Sequence, residues 1–454
     1  MKLIYGVKDK PKFGHLLIFA LQQLLAIMTA TLVVPIVINQ QTGAQMSSAA
    51  ALLGAGLGTL VYIMFTQKKS PVFLGSSFAF IGSMLAAFAG GVSMSCGYLG
   101  LIIGAFFAAL VYVIIAIVVK FAGVNWINKI MPATVIGPTV AIIGLSLAGN
   151  AIGDMSKGSI PGVEASPLIT VLCGVVTLII TVISSSYSKK IGRLIPFIFG
   201  IIGGYVTAGV FTLIGHFADV QALQVLNVEP FKALVAEGVR LETFFSVPDF
   251  TFVTAAKGIG EINMSYVSSI AVAYVPVAFV VFAEHLADHK NISSIIGQDL
   301  LEEPGLHRTL LGDGVGSFVG AIFGGCPNTT YGESVGCVAI TRNASVVTII
   351  TAAILAIVIS FISPFIAFVN SIPSCVMGGV CMALYGFIAV SGLKMVQNVD
   401  LNKNKNLFVV STILIAGIGG LTLNIGKITI TSIACALILG IIINLILAKA
   451  DGNE

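Results

Sequence analysis

A succession of long apolar runs constrains the fold of this chain more than any other feature. Fourteen stretches are long and apolar enough, or nearly so, to cross a bilayer as a helix of about 20 residues. Their approximate bounds are 14–38, 47–66, 71–90, 95–120, 129–149, 168–186, 194–216, 271–296, 309–325, 328–343, 344–368, 374–393, 406–423 and 428–448. The chain is 57% hydrophobic and only 9% charged, whereas a soluble domain carries roughly 25% charged residues. The sequence therefore predicts an all-α integral membrane protein of fourteen transmembrane segments, with the lipid bilayer as its surroundings.

Lysine and arginine are distributed unevenly over the loops between these runs. With the N-terminus in the cytoplasm, seventeen of them fall on the cytoplasmic side and Lys290 falls within a span. The five on the outer side are Lys157, Lys232, Arg240, Lys257 and Lys427. This bias follows the positive-inside rule. We therefore expect a multi-pass protein of the inner or plasma membrane with both termini in the cytoplasm.

Composition argues against several other classes of site and partner. The net charge of +4 is spread over many short loops, so no nucleic-acid partner is expected. The seven cysteines are odd in number, lie mostly in apolar runs and show no metal-ligand spacing. We interpret them as buried small hydrophobic residues, and we predict neither a metal site nor a cofactor.

Two of the fourteen runs are poor membrane helices. The runs 71–90 and 328–343 begin with proline, glycine and hydroxyl residues where a span should be apolar. Non-helical backbone at membrane depth is tolerated only where protein or a water-filled cavity satisfies its polar groups. Each of these runs is third in its set of seven, and the openings of the fifth and twelfth runs, Pro132–Pro138 and Pro373–Gly379, are also alike. We therefore predict two inverted seven-segment repeats whose broken half-helices, segments 3 and 10, meet at the midplane as in a transporter's binding site.

Two carboxylates within the apolar runs are the main candidates for that site. Glu284 lies deep in the run 271–296, and Glu333 follows Tyr331 and Gly332 at the break of the tenth run. An ionisable group in hydrocarbon is costly and usually faces a substrate or ion path. The alternatives are that Glu284 is a structural acid with a buried partner, and that Glu333 only caps its half-helix. On the other broken run, Ser77 and Phe78 offer backbone donors and an aromatic face, although Phe78 could also be ordinary core packing.

The helix that carries Glu284 holds more titratable residues. Asp288 is four residues further on and shares the face of Glu284, while His285 and His289 form a neighbouring stripe. All four are candidates for proton coupling. Structural pairing is the alternative for Asp288 and His289, and core packing is the alternative for His285.

The types of residue in this set restrict the ligand. Two carboxylates with little intramembrane positive charge would repel an anion, and a bare metal ion would require more oxygen ligands. A neutral, planar ring with N–H and carbonyl groups fits better, because carboxylates accept from its N–H groups and backbone N–H groups donate to its carbonyls. The rings of Phe78 and Tyr331 could stack on its faces.

These residues resemble those of the nucleobase/ascorbate transporter family, also called nucleobase:cation symporters, and in particular its bacterial uracil-transporting members. The resemblance covers nearly the whole chain, and its most specific parts are Pro71–Phe80, Ala283–His285, Asp299–Arg308 and Pro327–Glu333. The family signature of an acid or amide, Asn, any residue, Gly, four residues, Thr and a basic or Gly residue is met by Glu333, Gly336, Thr341 and Arg342. Ser334 replaces the usual Asn of the signature.

The resemblance implies an architecture and a mode of transport. A core domain at 14–121 and 266–368 would carry the substrate against a gate domain at 129–216 and 374–449, usually in a homodimer and driven by protons. An extracytoplasmic loop at 217–265 lies between the halves. By family position, Glu284 and Glu333 bind the base through their carboxylates, and the backbones of Phe78 and Gly332 meet its carbonyls.

The resemblance also bears on the choice of base. Uracil-type members carry glutamate at position 333 and purine-type members commonly carry glutamine, so Glu333 favours uracil or a related pyrimidine. Asp288 is a candidate for the proton relay, and Gln23 stands where many relatives have histidine. We therefore expect a proton-coupled uracil importer, with a xanthine or purine symporter as the alternative. An anion exchanger or channel on a related inverted-repeat fold is a rival of another class, and an enzyme is not expected.

Overall fold

The structure, a computed structural model, describes residues 3–123, 126, 130–160, 162–188, 195–397, 399–425 and 428–448. Seven of the lysines and arginines that predict the orientation lie outside these residues, namely Lys2, Lys129, Lys189, Lys190, Arg193, Lys427 and Lys449. The predicted starts at 129 and 194 and the predicted end at 449 also lie outside the described residues.

The chain is mostly helical. The helices of the first half are α1 Phe13–Thr42, α2 Ser48–Phe65, α3 Ile81–Ala87, α4 Met94–Ala122, α5 Ala133–Ser146, α6 Ala148–Met155, α7 Pro167–Tyr187, α8 Pro196–Phe217, α9 Glu229–Val235 and α10 Thr251–Ala256. Those of the second half are α11 Met264–Ile296, α12 Leu306–Gly324, α13 Gly332–Thr341, α14 Val346–Ile359, α15 Ser363–Ser371, α16 Ser374–Val396, α17 Asn404–Ile418 and α18 Ser432–Ala448. Among the described residues, four short strands accompany them: β1 Leu74–Ser76, β2 Asn328–Thr330, β3 Leu423–Ile425 and β4 Ile428–Ile430. The strands pair antiparallel as β1 with β2 and β3 with β4, so the prediction of an all-α protein is wrong in this detail.

Membrane-length helices confirm the general class of the protein. Within the described residues, eight helical stretches are long and apolar enough to cross a bilayer, with α5 and α6 counted as one. Other apolar helices are shorter, including α14, α17 and α18. A mostly helical membrane protein is therefore confirmed, whereas the count of fourteen spans stays a prediction.

Two predicted spans differ from the observed helices for local reasons. The run 344–368 is not one helix, because α14 ends at Ile359 and α15 begins at Ser363 with a proline in its first turn. The eighth run begins at Met264 rather than near residue 271, because the Asn263 side chain caps the helix by accepting from the Tyr266 N–H at 2.9 Å.

The helices pack in two sets. The first helix set comprises α1–α4 and α11–α14 together with β1 and β2. In it, α12 packs on α2, α4 and β2, α11 packs on α3 and α4, α13 packs on α1, α14 packs on α1 and α2, and β1 packs on α2. In the second helix set, α16 packs on α5, α6 and α7, α8 packs on α7, and α17 packs on α5 and α18. The two sets meet where α11 contacts α5 and α18 and where α1 contacts α8 and α16.

Small residues allow close helix contacts inside the first helix set. A Cβ built on Gly58 of α2 would lie 2.6 Å from the carbonyl oxygen of Gly316 on α12, and the reverse contact is also 2.6 Å. Glycine therefore lets these backbones approach each other, as is common between membrane helices. This packing holds α12 directly behind the strand pair described below.

The chain before α1 also joins the first helix set. The Ile4 N–H donates to the Arg342 carbonyl at 2.8 Å, and the Ala344 N–H donates to the Tyr5 carbonyl at 2.9 Å. These bonds lie just past the end of α13, so the N-terminal segment fastens the far end of the half-helix that carries Glu333.

An exposed ion pair joins two other segments of the chain. Lys69 Nζ donates to Glu303 Oε1 at 2.7 Å and lowers the pKa of that exposed carboxyl.

All seven cysteines are buried and free. This confirms the interpretation of them as small core residues.

Candidate functional site

The two broken segments meet inside the first helix set. The register of the strand pair is Leu74 with Thr330, Gly75 with Thr329 and Ser76 with Asn328. The Ser77 N–H extends the pair by donating to the Pro327 carbonyl at 2.9 Å. Pairing satisfies backbone groups that extended segments would otherwise leave bare in the membrane. The predicted breaks are thus observed, but each one is a strand that leads into a short helix.

Each strand ends where a half-helix begins. After β1, a 3₁₀ turn over Phe78–Phe80 continues into α3, and after β2 the helix α13 begins at Gly332. The first backbone N–H groups of a helix have no partner within that helix, and its N-terminus carries partial positive charge. Both half-helices therefore present donors near the strand pair.

Gly75 lets an aromatic ring lie against β1. A Cβ built on Gly75 would lie 2.5 Å from Tyr331 Cζ and 2.9 Å from Thr31 Oγ1. The Tyr331 hydroxyl donates to the Ser76 carbonyl at 2.6 Å. The ring is thus fixed by packing along its face and by a hydrogen bond at its tip.

A cavity of about 50 Å³ lies between the two helix sets at this point. The first helix set lines it with Ser77, Phe78, Ala79, Glu284, Thr329, Tyr331 and Glu333. The second helix set lines it with Val140 and Ile143 of α5 and with Leu384 and Ile388 of α16. One wall is therefore polar and aromatic, and the opposite wall is aliphatic. The lining residues include neither lysine nor arginine.

Most of the predicted substrate residues lie in this cavity. Glu284 of α11 and Glu333 of α13 are both partly exposed to it. Neither forms an ion pair with a lysine or arginine in the part of the chain that the structure describes. The Phe78 ring packs edge-on against Tyr385 of α16, with centroids 6.0 Å apart. Two acceptors and two aromatic rings thus share one small space.

Asp288 and Gly332 lie next to this group. Thr330 Oγ1 donates to Asp288 Oδ2 at 2.9 Å, so β2 holds the Asp288 carboxylate. A Cβ built on Gly332 would lie 3.8 Å from Asp288 Oδ1. Asp288 does not line the cavity; it lies next to the first residue of the half-helix that carries Glu333.

The two predicted histidines lie behind the cavity and are fully buried. Their rings stack with centroids 3.9 Å apart. His289 bonds to the Tyr62 hydroxyl through Nε2 at 2.7 Å, and its Nδ1 donates to the His285 carbonyl at 2.8 Å. His285 bonds to Asp313 of α12 through Nδ1 at 2.7 Å. The structure therefore places both histidines in a polar network inside the protein and not against the ligand space.

Asp313 was missed by the sequence reasoning. It is only 1% exposed and forms a pair with His285. The signal was present, because Asp313 lies within the predicted span 309–325 and an acid in a span is a functional candidate by default. Thr330 carried no comparable signal, because its role depends on the pairing of β2.

Two predicted supporting residues hydrogen-bond to each other. The Gln23 amide of α1 donates to Ser334 Oγ of α13, and the same oxygen accepts from the Phe73 N–H at 2.9 Å. Gln23, Ser334 and the chain before β1 are thus joined. The two departures from the family pattern at Gln23 and Ser334 are therefore in direct contact.

Metal binding has no support in the described residues. Among them, no three His, Cys, Asp or Glu side chains are grouped so as to hold a metal ion.

Solved structures share this fold at low sequence identity. The transmembrane domain of the cyanobacterium bicarbonate transporter BicA is 14% identical, with a TM-score of 0.62 over 97% of this chain and 100% of that one. The murine anion transporter Slc26a9 in its inward-facing state is 12% identical, with a TM-score of 0.62 over 98% of this chain and 69% of that one. At such identities the likeness establishes the fold alone.

Sequence relatives are much closer. The uracil permease of Bacillus subtilis (strain 168) is 38% identical over 100% of this chain and 97% of its own length. That of Escherichia coli (strain K12) is 33% identical over 97% of this chain and 93% of its own length. The relatives are named permeases, in agreement with the prediction of a transporter rather than an enzyme. Residues 14–426 match the profile of the permease family, and the chain therefore belongs to this family, the nucleobase/ascorbate transporters.

Proposed function

We propose that this protein imports uracil across the plasma membrane together with protons. The observation that carries the proposal is the cavity in which Glu284, Glu333, Phe78 and Tyr331 meet at the ends of two half-helices. The names of the relatives, uracil permeases that align over almost their full length, support the same substrate.

Recognition would use both faces and the edges of the base. Ionised carboxylates only accept hydrogen bonds, so Glu284 and Glu333 would accept from ring N–H groups. The backbone N–H groups at Phe78 and Gly332 would donate to the ring carbonyls, as the positions at the starts of their helices allow. The rings of Phe78 and Tyr331 would pack on the planar faces.

Movement of one helix set against the other would give alternating access. The polar wall of the cavity belongs to the first helix set and the aliphatic wall to the second. The first set would therefore be the core that carries the base, and the second would be the gate. The proposed architecture has fourteen membrane spans in two inverted repeats. Both termini lie in the cytoplasm, and two copies form a homodimer.

Proton coupling would use the acids and histidines of α11. Glu284 lies at the cavity, Asp288 is held by Thr330, and His285 and His289 form the network behind. Protonation of an acid beside the base would lower the cost of carrying charge through the membrane.

Two rival functions share the fold. A xanthine symporter would use the same cavity, and Glu333 in place of glutamine argues for the pyrimidine. An anion exchanger or channel would require positive charge at the site; the solved neighbours are named a bicarbonate transporter and an anion transporter. The cavity is lined by Glu284 and Glu333 and by no lysine or arginine, and this argues against an anion as the substrate.

Uptake of labelled uracil into energised membrane vesicles tests the proposal. We expect competition by unlabelled uracil but not by xanthine or uric acid, and loss of accumulation with a protonophore. Uptake should also fall as the external pH rises. Accumulation driven by a sodium gradient but not by a proton gradient would show that the coupling ion is wrong. Absence of uracil uptake, or stronger competition by unlabelled xanthine than by unlabelled uracil, would show that the base is wrong.

A further inference from the structure

A buried acid and histidine lie one layer behind the substrate cavity. His285 Nδ1 is 2.7 Å from Asp313 Oδ2, and the two side chains are 0% and 1% exposed. His285 is on α11 and Asp313 is on α12. Neither lines the cavity, so this Asp313–His285 pair is separate from the carboxylates that face the base.

The hydroxyl of Thr309 allows this pair to gain a proton without losing a partner. Thr309 Oγ1 lies 3.0 Å from His285 Nε2 and 3.0 Å from the Leu306 carbonyl. A hydroxyl has one proton to donate and can also accept. Without an added proton on the pair, Nδ1–H donates to Asp313 and Thr309 donates to Nε2.

An added proton reverses the second of these bonds. Nε2 then carries hydrogen and donates to Thr309, and Thr309 turns its own proton to the Leu306 carbonyl. This arrangement is the same whether the added proton resides on His285 or on the Asp313 carboxyl. Both protonation states therefore keep the His285 ring hydrogen-bonded at each nitrogen.

The strand β2 connects the pair to the substrate cavity. Thr329 lines the cavity and lies beside Asp313 and Tyr112. Three buried oxygens meet there without a hydrogen bond of good geometry, namely Asp313 Oδ1, Thr329 Oγ1 and Tyr112 OH. The next residue, Thr330, holds Asp288. Neighbouring residues of a strand point to opposite faces. Thr329 therefore lies beside Asp313 on one face of β2, and Thr330 bonds to Asp288 on the other.

The surroundings favour binding of a single proton. The titratable groups that face the pair are Tyr62 of α2, Tyr112 of α4, and Glu284, Asp288 and His289 of α11. In the described part of the chain, no lysine or arginine forms an ion pair with Asp313. An ionised Asp313 beside neutral His285 is a buried net charge, which is costly, and one proton removes it.

We propose that the Asp313–His285 pair is a second protonatable site, which takes up one proton from the water of the cavity when uracil binds and later releases it to the cytoplasm. The inference rests on the proposed function. Thr329, which lies between the cavity and the pair, would transmit the effect of the bound base to the pair. Asp313 would thus be a positioning and proton-holding residue and would not touch the substrate.

Binding of uracil as a function of pH tests this assignment. Wild type, Asp313→Asn and a control, Asp154→Asn, would be purified in detergent, and the uracil Kd and the protons taken up on binding would be measured by calorimetry in buffers of different ionisation enthalpy. Asp154 is another buried acid, on α6 in the second helix set. The double variant Asp313→Asn/His285→Gln gives a second test if Asp313→Asn does not fold, because two facing amides can hydrogen-bond to each other and neither takes up a proton.

The expected results differ between the variants. Asp313→Asn is neutral at all pH values and resembles the protonated pair. Its uracil Kd should therefore match that of wild type at low pH and should rise less steeply with pH than that of wild type. It should take up about one proton fewer per uracil bound. In vesicles it should still exchange uracil for uracil but should accumulate it to a lower level than wild type does, because one of the coupled protons is missing. Asp154→Asn should behave as wild type.

Other outcomes would overturn the inference. If Asp313→Asn or the double variant Asp313→Asn/His285→Gln keeps the wild-type pH dependence and proton uptake, the pair is only structural, while the proposed uracil transport stands. If the wild-type Kd does not change with pH, the pair takes up no proton on binding. If wild type neither binds nor transports uracil, the proposed function itself fails.

Discussion

The contact between Gly75 and Tyr331 gives the sharpest test of the strand pair. In Gly75→Ala, the new methyl group would lie 2.5 Å from Tyr331 Cζ and 2.9 Å from Thr31 Oγ1, so the ring must move. The ring cannot swing away without losing its 2.6 Å bond to the Ser76 carbonyl. Overpacking of this kind costs about 1–3 kcal/mol, and the lost hydrogen bond adds about 0.5–1.5 kcal/mol.

The displacement should reach the ligand because Tyr331 immediately precedes Gly332 and Glu333. If about 1–3 kcal/mol of this cost appears in binding, the uracil Kd rises by about 5- to 150-fold. Calorimetry on purified protein gives the Kd, and thermal unfolding with and without uracil gives the change in stability. Both should be measured under identical detergent conditions.

Gly82→Ala is the matched control in the same broken segment. A Cβ built on Gly82 of α3 has no atom within 4 Å, and replacing a helical glycine by alanine stabilises a helix by up to about 1 kcal/mol. We expect normal binding and equal or higher thermal stability. If Gly75→Ala binds uracil as tightly as Gly82→Ala does, the close packing of Tyr331 on β1 does not shape the site.

Substitutions at three further positions test individual roles. Glu284→Gln should weaken uracil binding at least about tenfold, because a charge-assisted bond is worth about 1.5–3 kcal/mol; normal binding by folded protein would contradict that role. Thr330→Val leaves Asp288 without its donor and should change the pH profile of uptake, whereas Thr330→Ser should preserve it; identical profiles would show that this bond is not used in coupling. Glu333→Gln should lose more affinity for uracil than for xanthine, since an amide can donate as well as accept; equal losses in competition assays would mean that Glu333 only supports its half-helix.

The sequence was sufficient to find where the membrane helices are interrupted. Glycine, proline and hydroxyl residues in the runs 71–90 and 328–343 violate the apolar pattern of a span, and both runs are broken in the structure. The pairing of β1 with β2 was not predictable. Three-residue strands are too short to show a period of two, and no local pattern connects segments so distant in the chain.

The titratable residues show the same limit. Helical spacing placed Glu284 and Asp288 on one face and His285 and His289 on another, and the structure has the two histidines stacked behind the cavity. The side chains that hydrogen-bond to the two rings, namely Tyr62, Thr309 and Asp313, come from other helices, so spacing along α11 could not identify them. Asp313 is different, because the rule that selected Glu284 applies to it equally.

The position of the strand pair bears on how specificity and movement can coexist. Antiparallel bonds between β1 and β2, with Tyr331 bound to Ser76, fix the starts of both half-helices relative to each other. The donors at these helix starts and Glu333 therefore form one rigid group within the first helix set. The facing wall contributes only aliphatic side chains, which exclude water but make no directional bond. In the proposed cycle the second helix set can thus slide past the base without breaking a hydrogen bond to it. The movement exchanges only apolar contacts between the base and this wall, and such contacts are non-directional.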